Sequence, residues 1–182
     1  MRVGTKSVLF GAHQFILHPI ALAVAWTMLY GLPRDFRLLM AFVVHDWGYI
    51  GLGNMDGEEG ERHPVRGAAI MRLYFGKVWG DFTLYHSRFY ARRRNRPYSR
   101  LAVADKLAST IMPAWIYVPL VSLTGEIEEY MGYSAGKESA FRSHGAITLD
   151  AWLWYSELRV YLREWAFSHK DMAGALVAVQ PA

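Results

Sequence analysis

The sequence predicts an all-α protein. Apolar residues recur at helical spacing in one segment after another, strand-like alternation is scarce, and glycine and proline punctuate the segments at regular intervals. With 182 residues, 53% of them hydrophobic and 15% aromatic, the chain is long enough for one domain with a sizeable core. The expected organisation is a single unit over 1–182, with a helical core at about 11–110 and a C-terminal helical extension at about 111–170.

The elements follow in order. Pro19 suits the first turn of a helix through IALAVAWTMLY, which Gly31 and Pro33 stop. Asp35 can cap the next helix, FRLLMAFVVHD, broken after His45 by Gly48, Gly51 and Gly53. GLGNMDGEEGER reads as a polar, glycine-rich loop lacking the full alternating ligands of a calcium loop. Pro64 opens a helix through VRGAAIMRLYF, and a helix from about Val78 to Arg94 carries His86. Ser99 starts RLAVADKLAST, Pro113 and Pro119 interrupt the apolar stretch after it, and GEIEEYMGYSAGKE reads as mixed helix end and loop. A long amphipathic helix from about Ala140 to Phe167, rich in Trp and Tyr, comes last, with fraying expected beyond Lys170.

Composition excludes several chemistries. Without cysteine there are no disulfides, thiolate metal sites or cysteine nucleophiles, and a reducing cytoplasm fits. Two stretches, Lys6 to Arg34 and Lys106 to Glu126, have no charged residue between their ends. Their histidines, prolines and hydroxyls suit buried core helices better than membrane spans, and the start lacks the small-residue cleavage site of a signal peptide. The net charge of +4 is mild, but six arginines crowd His86–Arg100, a cluster suited to phosphate groups. No nucleic-acid-binding module surrounds that cluster, so nucleic acid is not an expected partner.

The chemistry-bearing residues are His18, His45, Asp46, His63, His86 and Asp105. Each lies at a helix terminus or on an apolar helix face, where an ionisable group is costly unless something binds it. Four imidazoles and two carboxylates can hold two divalent transition metals, one carboxylate bridging and positions left open for water. His144 and His169 lack such context and read as surface or packing residues.

The order His…His-Asp…His…His…Asp resembles the binuclear form of the HD-domain superfamily of metal-dependent phosphohydrolases. HPIALAVAWTMLYG resembles its first ligand helix, LLMAFVVHDWG the signature helix and RHPVRGA the third-ligand helix. LYHSRFYARRRNRPYSRLAVADKLA resembles the fourth-histidine segment and distal aspartate, especially as found in bacterial symmetrical dinucleoside tetraphosphate hydrolases. The resemblance covers roughly Gly11 to Ser109 and implies a helical bundle with the metals at its centre.

The resemblance makes His18 the first ligand, His45 and Asp46 the central ones with Asp46 bridging, and Asp105 the last; His63 and His86 hold the second metal. His13 competes with His18 for the first position, and otherwise becomes a substrate or outer contact together with Gln14. Tyr49 stands where the family often has a lysine, so Arg62, Arg66, Arg92 or Lys106 would take over binding of the phosphate. One of Glu58, Glu59 and Glu61, with Glu59 preferred, is the candidate general acid. Implied cofactors are two divalent ions from among Mn, Fe, Co, Ni and Mg, which acidify a bridging water for in-line attack on phosphorus. The implied substrate is a nucleotide or other small phosphate, with Arg88, Arg92, Arg93, Arg96 and Arg100 as candidates to bind its charge. Two alternatives remain: a di-iron HD-domain oxygenase on a small polar substrate, and a non-catalytic helical or membrane-associated module. The aromatic residues of the last helix are expected in the core or at a homo-oligomer face.

Overall fold

The computed structural model describes residues 1–55, 57–136 and 139–174, and among them the chain is helical with no strand. The N-terminal half runs α1 (Val3–Phe10), α2 (Leu17–Tyr30), α3 (Phe36–Val44), a 3₁₀ turn at Trp47–Tyr49, α4 (Gly57–Gly60) and α5 (Pro64–Phe75). The chain continues through α6 (Lys77–Leu84), α7 (Arg88–Arg93), α8 (Arg100–Ala108), α9 (Ala114–Thr124), α10 (Glu126–Ala135), α11 (His144–Thr148) and α12 (Ala151–His169). The all-α expectation holds. No helix among the described residues is long and apolar enough to cross a membrane.

Local chemistry sets most of the boundaries. The Asp35 side chain accepts from the Arg37 N–H and caps α3 as expected. Pro64 occupies the first turn of α5, where its missing N–H is no loss. Gly31 and Gly76 end α2 and α5 at φ 87° and 86°, a backbone region that favours glycine.

Several boundaries differ from expectation. The single helix expected from Val78 to Arg94 is two, because the chain turns at Tyr85–Ser87 and the Ser87 hydroxyl accepts from the Tyr90 N–H to start α7. Pro119 lies inside α9 on its exposed side without ending it. The segment read as mixed helix and loop is a full helix, α10, and the glycine-rich loop contains the short α4. The last helix starts at Ala151 rather than near Ala140: Leu149 sits at φ 58°, and the Asp150 carboxylate accepts from the Trp152 and Leu153 N–H groups. Of the tail expected to fray, residues 175–182 lie outside the described set.

Two large apolar cores support the fold, beside a small cluster of Val8, Tyr49 and Met55. One gathers Leu22, Trp26, Phe42, Met71, Phe82, Leu101 and Leu107 from α2, α3, α5, α6 and α8. The other gathers Tyr117, Val121, Ile127, Trp154 and Tyr155 from α9, α10 and α12. Side chains of this size contribute about 1.5–3 kcal/mol each on full burial. The tryptophans of α12 divide accordingly, with Trp154 buried and Trp152 exposed.

Candidate metal centre

The expected ligands come from separate elements that converge on one point. His18 stands in the first turn of α2, and its imidazole is buried. His45 ends α3, and Asp46 follows at φ −97°, ψ 3°, the bridge conformation that turns the chain into the 3₁₀ segment. His63 immediately precedes α5, His86 occupies the turn between α6 and α7, and Asp105 projects from α8. Two glycines make the convergence possible. A Cβ at Gly67 would strike the Val44 carbonyl and the His45 Cα, and one at Gly48 would strike the His63 backbone. Their absence lets α5 and its leading histidine lie directly against the His45-Asp46 turn.

Asp46 faces two groups of donors. Its Oδ2 lies 3.0 Å from His45 Nε2 and 3.4 Å from His18 Nε2. Asp105 Oδ1 completes that group, 3.1 Å from His18 Nε2 and 3.6 Å from His45 Nε2. The other oxygen of Asp46, Oδ1, lies 3.4 Å from His86 Nε2 and 3.7 Å from His63 Nε2, which are themselves 2.9 Å apart. Atoms bound to one ion at about 2.1 Å are about 3.0 Å apart at a right angle and about 3.6 Å apart at 120°. Both groups match that spacing.

The ring orientations explain how the donors are held. His45 Nδ1 donates to the Phe42 carbonyl (3.0 Å), His63 Nδ1 to that of Gly60 (2.7 Å) and His86 Nδ1 to that of Thr83 (2.6 Å). Each bond reaches back three residues, places the proton on Nδ1 and turns the Nε2 lone pair inward, as backbone carbonyls do for metal-binding histidines. Two such lone pairs 2.9 Å apart, on His63 and His86, repel unless a cation stands between them. Asp46 Oδ2 is likewise buried with no hydrogen-bond partner. These features fit a pair of divalent cations.

The electrostatics point the same way. Burial pushes the Asp46 and Asp105 carboxyls upward, but His45 beside Asp46, and His18 and His45 beside Asp105, hold both well below the usual carboxylate range. Burial also opposes charge on His45, yet the two carboxylates outweigh it and raise the imidazole. His63 is lowered by burial and by the neighbouring His86. The first group thus favours positive charge among its carboxylates, and the second presents a neutral imidazole ready to coordinate. The Asp105 side chain is 25% exposed and that of His63 12%, against 6% or less for His18, His45, Asp46 and His86, so the cluster opens to solvent past Asp105 and His63.

The other expected site residues divide. His13 and Tyr49 lie at the cluster: Tyr49 stacks on His63 with centroids 4.2 Å apart and planes 7° apart, and His13 packs 4.8 Å from Tyr49 and 5.6 Å from His18. The cluster groups His18, rather than His13, with the other candidate ligands. Lys106 and Arg88 follow the candidate ligands Asp105 and His86 in sequence, and both lie over the Trp165 ring, at 5.6 and 5.4 Å. Glu59 accepts from the Gly53 N–H, Arg62 pairs with exposed Glu58, and Arg66 donates to the Ile50 carbonyl; Arg92 is exposed on α7.

One residue escaped the sequence reading. Glu126, at the start of α10, is fully buried; it accepts from the Ala12 N–H (3.1 Å), the Thr124 hydroxyl (2.8 Å) and the Tyr130 hydroxyl (3.2 Å). Its Oε2 is 4.0 Å from His13 Nδ1, which also meets the Ser7 hydroxyl at 2.9 Å. The C-terminal extension therefore fixes the Gly11–His13 turn beside the cluster. Its only signal in sequence is a carboxylate directly after the uncharged run of α9. No family model, curated protein or solved structure matches this chain.

Proposed function

We propose that this chain is a divalent-metal-dependent phosphohydrolase of the HD-domain type, acting on a nucleotide or other small phosphate ester or anhydride. The observation that carries the reading is Asp46, whose two oxygens address two separate donor groups, the arrangement of a bridging carboxylate. His18, His45, Asp46 and Asp105 would hold one cation, and Asp46, His63 and His86 the other. Bound there, such ions supply Lewis acidity and make water nucleophilic at neutral pH. The protein's own contribution is orientation. Backbone carbonyls lock three of the imidazoles, and Glu126 holds the turn that presents His13 at the rim. Positive charge for phosphate oxygens would come from Lys106, next to Asp105 in sequence, and Arg88, two residues after His86.

The test is a phosphate-release screen over nucleotides and small phosphate esters with added Mn²⁺, Fe²⁺, Co²⁺, Ni²⁺ or Mg²⁺. Metal-dependent release that disappears in His45→Ala and Asp46→Ala supports the reading; no release with any metal refutes it. A second reading, a di-iron oxygenase, draws on position 49. Buried Tyr49 covers the His63 ring where the resembling family often has a cation for phosphate. Iron-dependent oxygen uptake without phosphate release would select it.

A further inference from the structure

We propose that the outer face of α2 is the two-fold interface of a homodimer, its occupant a second copy of this chain. Ile16, Leu17, Ile20, Val24 and Met28 are 54%, 39%, 56%, 43% and 41% exposed, and Phe15 just before them 47%. Ile16, Ile20, Val24 and Met28 follow one another at i, i+4 spacing, so they form a single ridge about 18 Å long on one side of the helix. The row leaves roughly 500 Å² of apolar surface in water, at the upper end of the largest patch on a typical monomer, about 300–600 Å². Two such faces packed together would bury about 1,000 Å² in total, the size at which an interface becomes specific rather than a chance contact.

Charge decides the occupant. No Asp, Glu, Lys or Arg occurs between Lys6 and Arg34, so the face carries neither sign. A helix that lies on a membrane surface sets Lys and Arg along its polar flanks, and α2 has none. A partner chosen by charge would find nothing to complement. A second α2 meets this face without like-charge contact, and i±4 ridges interdigitate at a crossing of about 50°. Homodimer interfaces are also the more apolar class. The outward side of α12, expected from sequence to supply an oligomer face, is less suited, because Arg159, Arg163 and Glu164 interrupt its Leu153 and Val160. The opposite side of α2 carries buried His18, Leu22, Ala25 and Trp26, so dimerisation would clamp the helix that presents the first candidate ligand. The interface does not depend on the metal reading.

Sedimentation equilibrium on the full chain tests it. Expected is twice the chain mass at micromolar concentration, and the monomer mass for the double variant Ile20→Asp, Val24→Asp with unchanged helical circular dichroism. Both positions are exposed, so the variant keeps its core. The chain has no cysteine, which allows a second, fold-preserving readout. Val24→Cys should cross-link to a covalent dimer with a bismaleimide of about 10 Å span, matching the 8–10 Å between packed helix axes, whereas Val160→Cys should not. A wild-type monomer at about 100 µM, well above the dissociation constants of standard-sized interfaces, would overturn the proposal. So would a dimer that survives the double Asp substitution, cross-linking through Val160→Cys alone, or a monomer that sediments with phosphatidylglycerol vesicles.

Discussion

Replacing Asp46 by Asn tests the bridging geometry quantitatively. The substitution keeps the shape of the side chain and removes the charge whose two oxygens face the two donor groups. A ligand present at 100 times its dissociation constant stabilises the folded state by about 2.7 kcal/mol per site, so two filled sites contribute about 5 kcal/mol. In a chain of this length each kcal/mol moves the midpoint by about 2–4 °C, so saturating Mn²⁺ should raise the melting temperature of wild type by roughly 10–20 °C. Asp105→Asn removes a donor from the first group alone, and His63→Ala from the second alone. Each should retain one site and roughly half the shift, about 5–10 °C. Asp46→Asn should lose most of both, leaving a shift below about 3 °C. The readout is the difference between metal-loaded and chelated samples of the same variant, measured by scanning calorimetry, so any change in the metal-free protein cancels. An Asp46→Asn shift no smaller than that of Asp105→Asn would refute a shared carboxylate.

Three further outcomes are expected. Gly67→Ala should destabilise by about 1–3 kcal/mol in urea denaturation, although helix propensity alone favours it by about 1 kcal/mol, because the added methyl meets the Val44 carbonyl and His45 Cα; a stabilised variant would contradict the tight contact of α5 with the His45-Asp46 turn. Glu126→Ala should cost about 2 kcal/mol or more in the same assay, since it leaves the Ala12 N–H without its acceptor, whereas the Thr124 hydroxyl keeps the Leu120 and Val121 carbonyls, and a loss below about 1 kcal/mol would show that water replaces the carboxylate. Glu157 is lowered from its ordinary 4.5, first by the Ser143 hydroxyl and further by the Gly145 N–H and His144. Its stabilisation is therefore present above about pH 4.5 and lost as pH falls through the lower folded value, so the stability gap between wild type and Glu157→Gln should close as pH falls below about 4.5; a gap that widens below about pH 4.5 would contradict the assignment.

The candidate ligands were legible because each stands at a helix end or on an apolar helix face, where an ionisable group is costly unless something binds it. What sequence could not show is which atoms meet. The Asp46 side chain divides between two groups only because Gly48 and Gly67 let the His63 segment press against the turn, and neither glycine announces that contact. Glu126 was hidden for the opposite reason: it stands among Glu128 and Glu129, and three carboxylates in one helical turn read as a solvated face. The break at Tyr85–Ser87 was missed because helical periodicity continues on both sides of it, and the signal, a serine able to cap α7, is weak in isolation. Pro119 misled in the other direction. A proline in mid-helix usually ends the helix, but here it lies on the exposed side, where water can serve the carbonyl one turn back. The expected phosphate-binding arginines illustrate a further limit, since a basic run fixes charge but not direction. Arg62 and Arg66 are engaged at the surface, and Lys106 and Arg88 converge on Trp165.

If one carboxylate serves two metal ions, both lie within bonding distance of Asp46. Anomalous scattering from crystals of the protein loaded with Mn²⁺ tests it most directly. Expected are two peaks, one within about 2.2 Å of Asp46 Oδ2 among His18, His45 and Asp105, the other equally close to Asp46 Oδ1 between His63 and His86. A single peak, or two peaks of which only one touches Asp46, would contradict it.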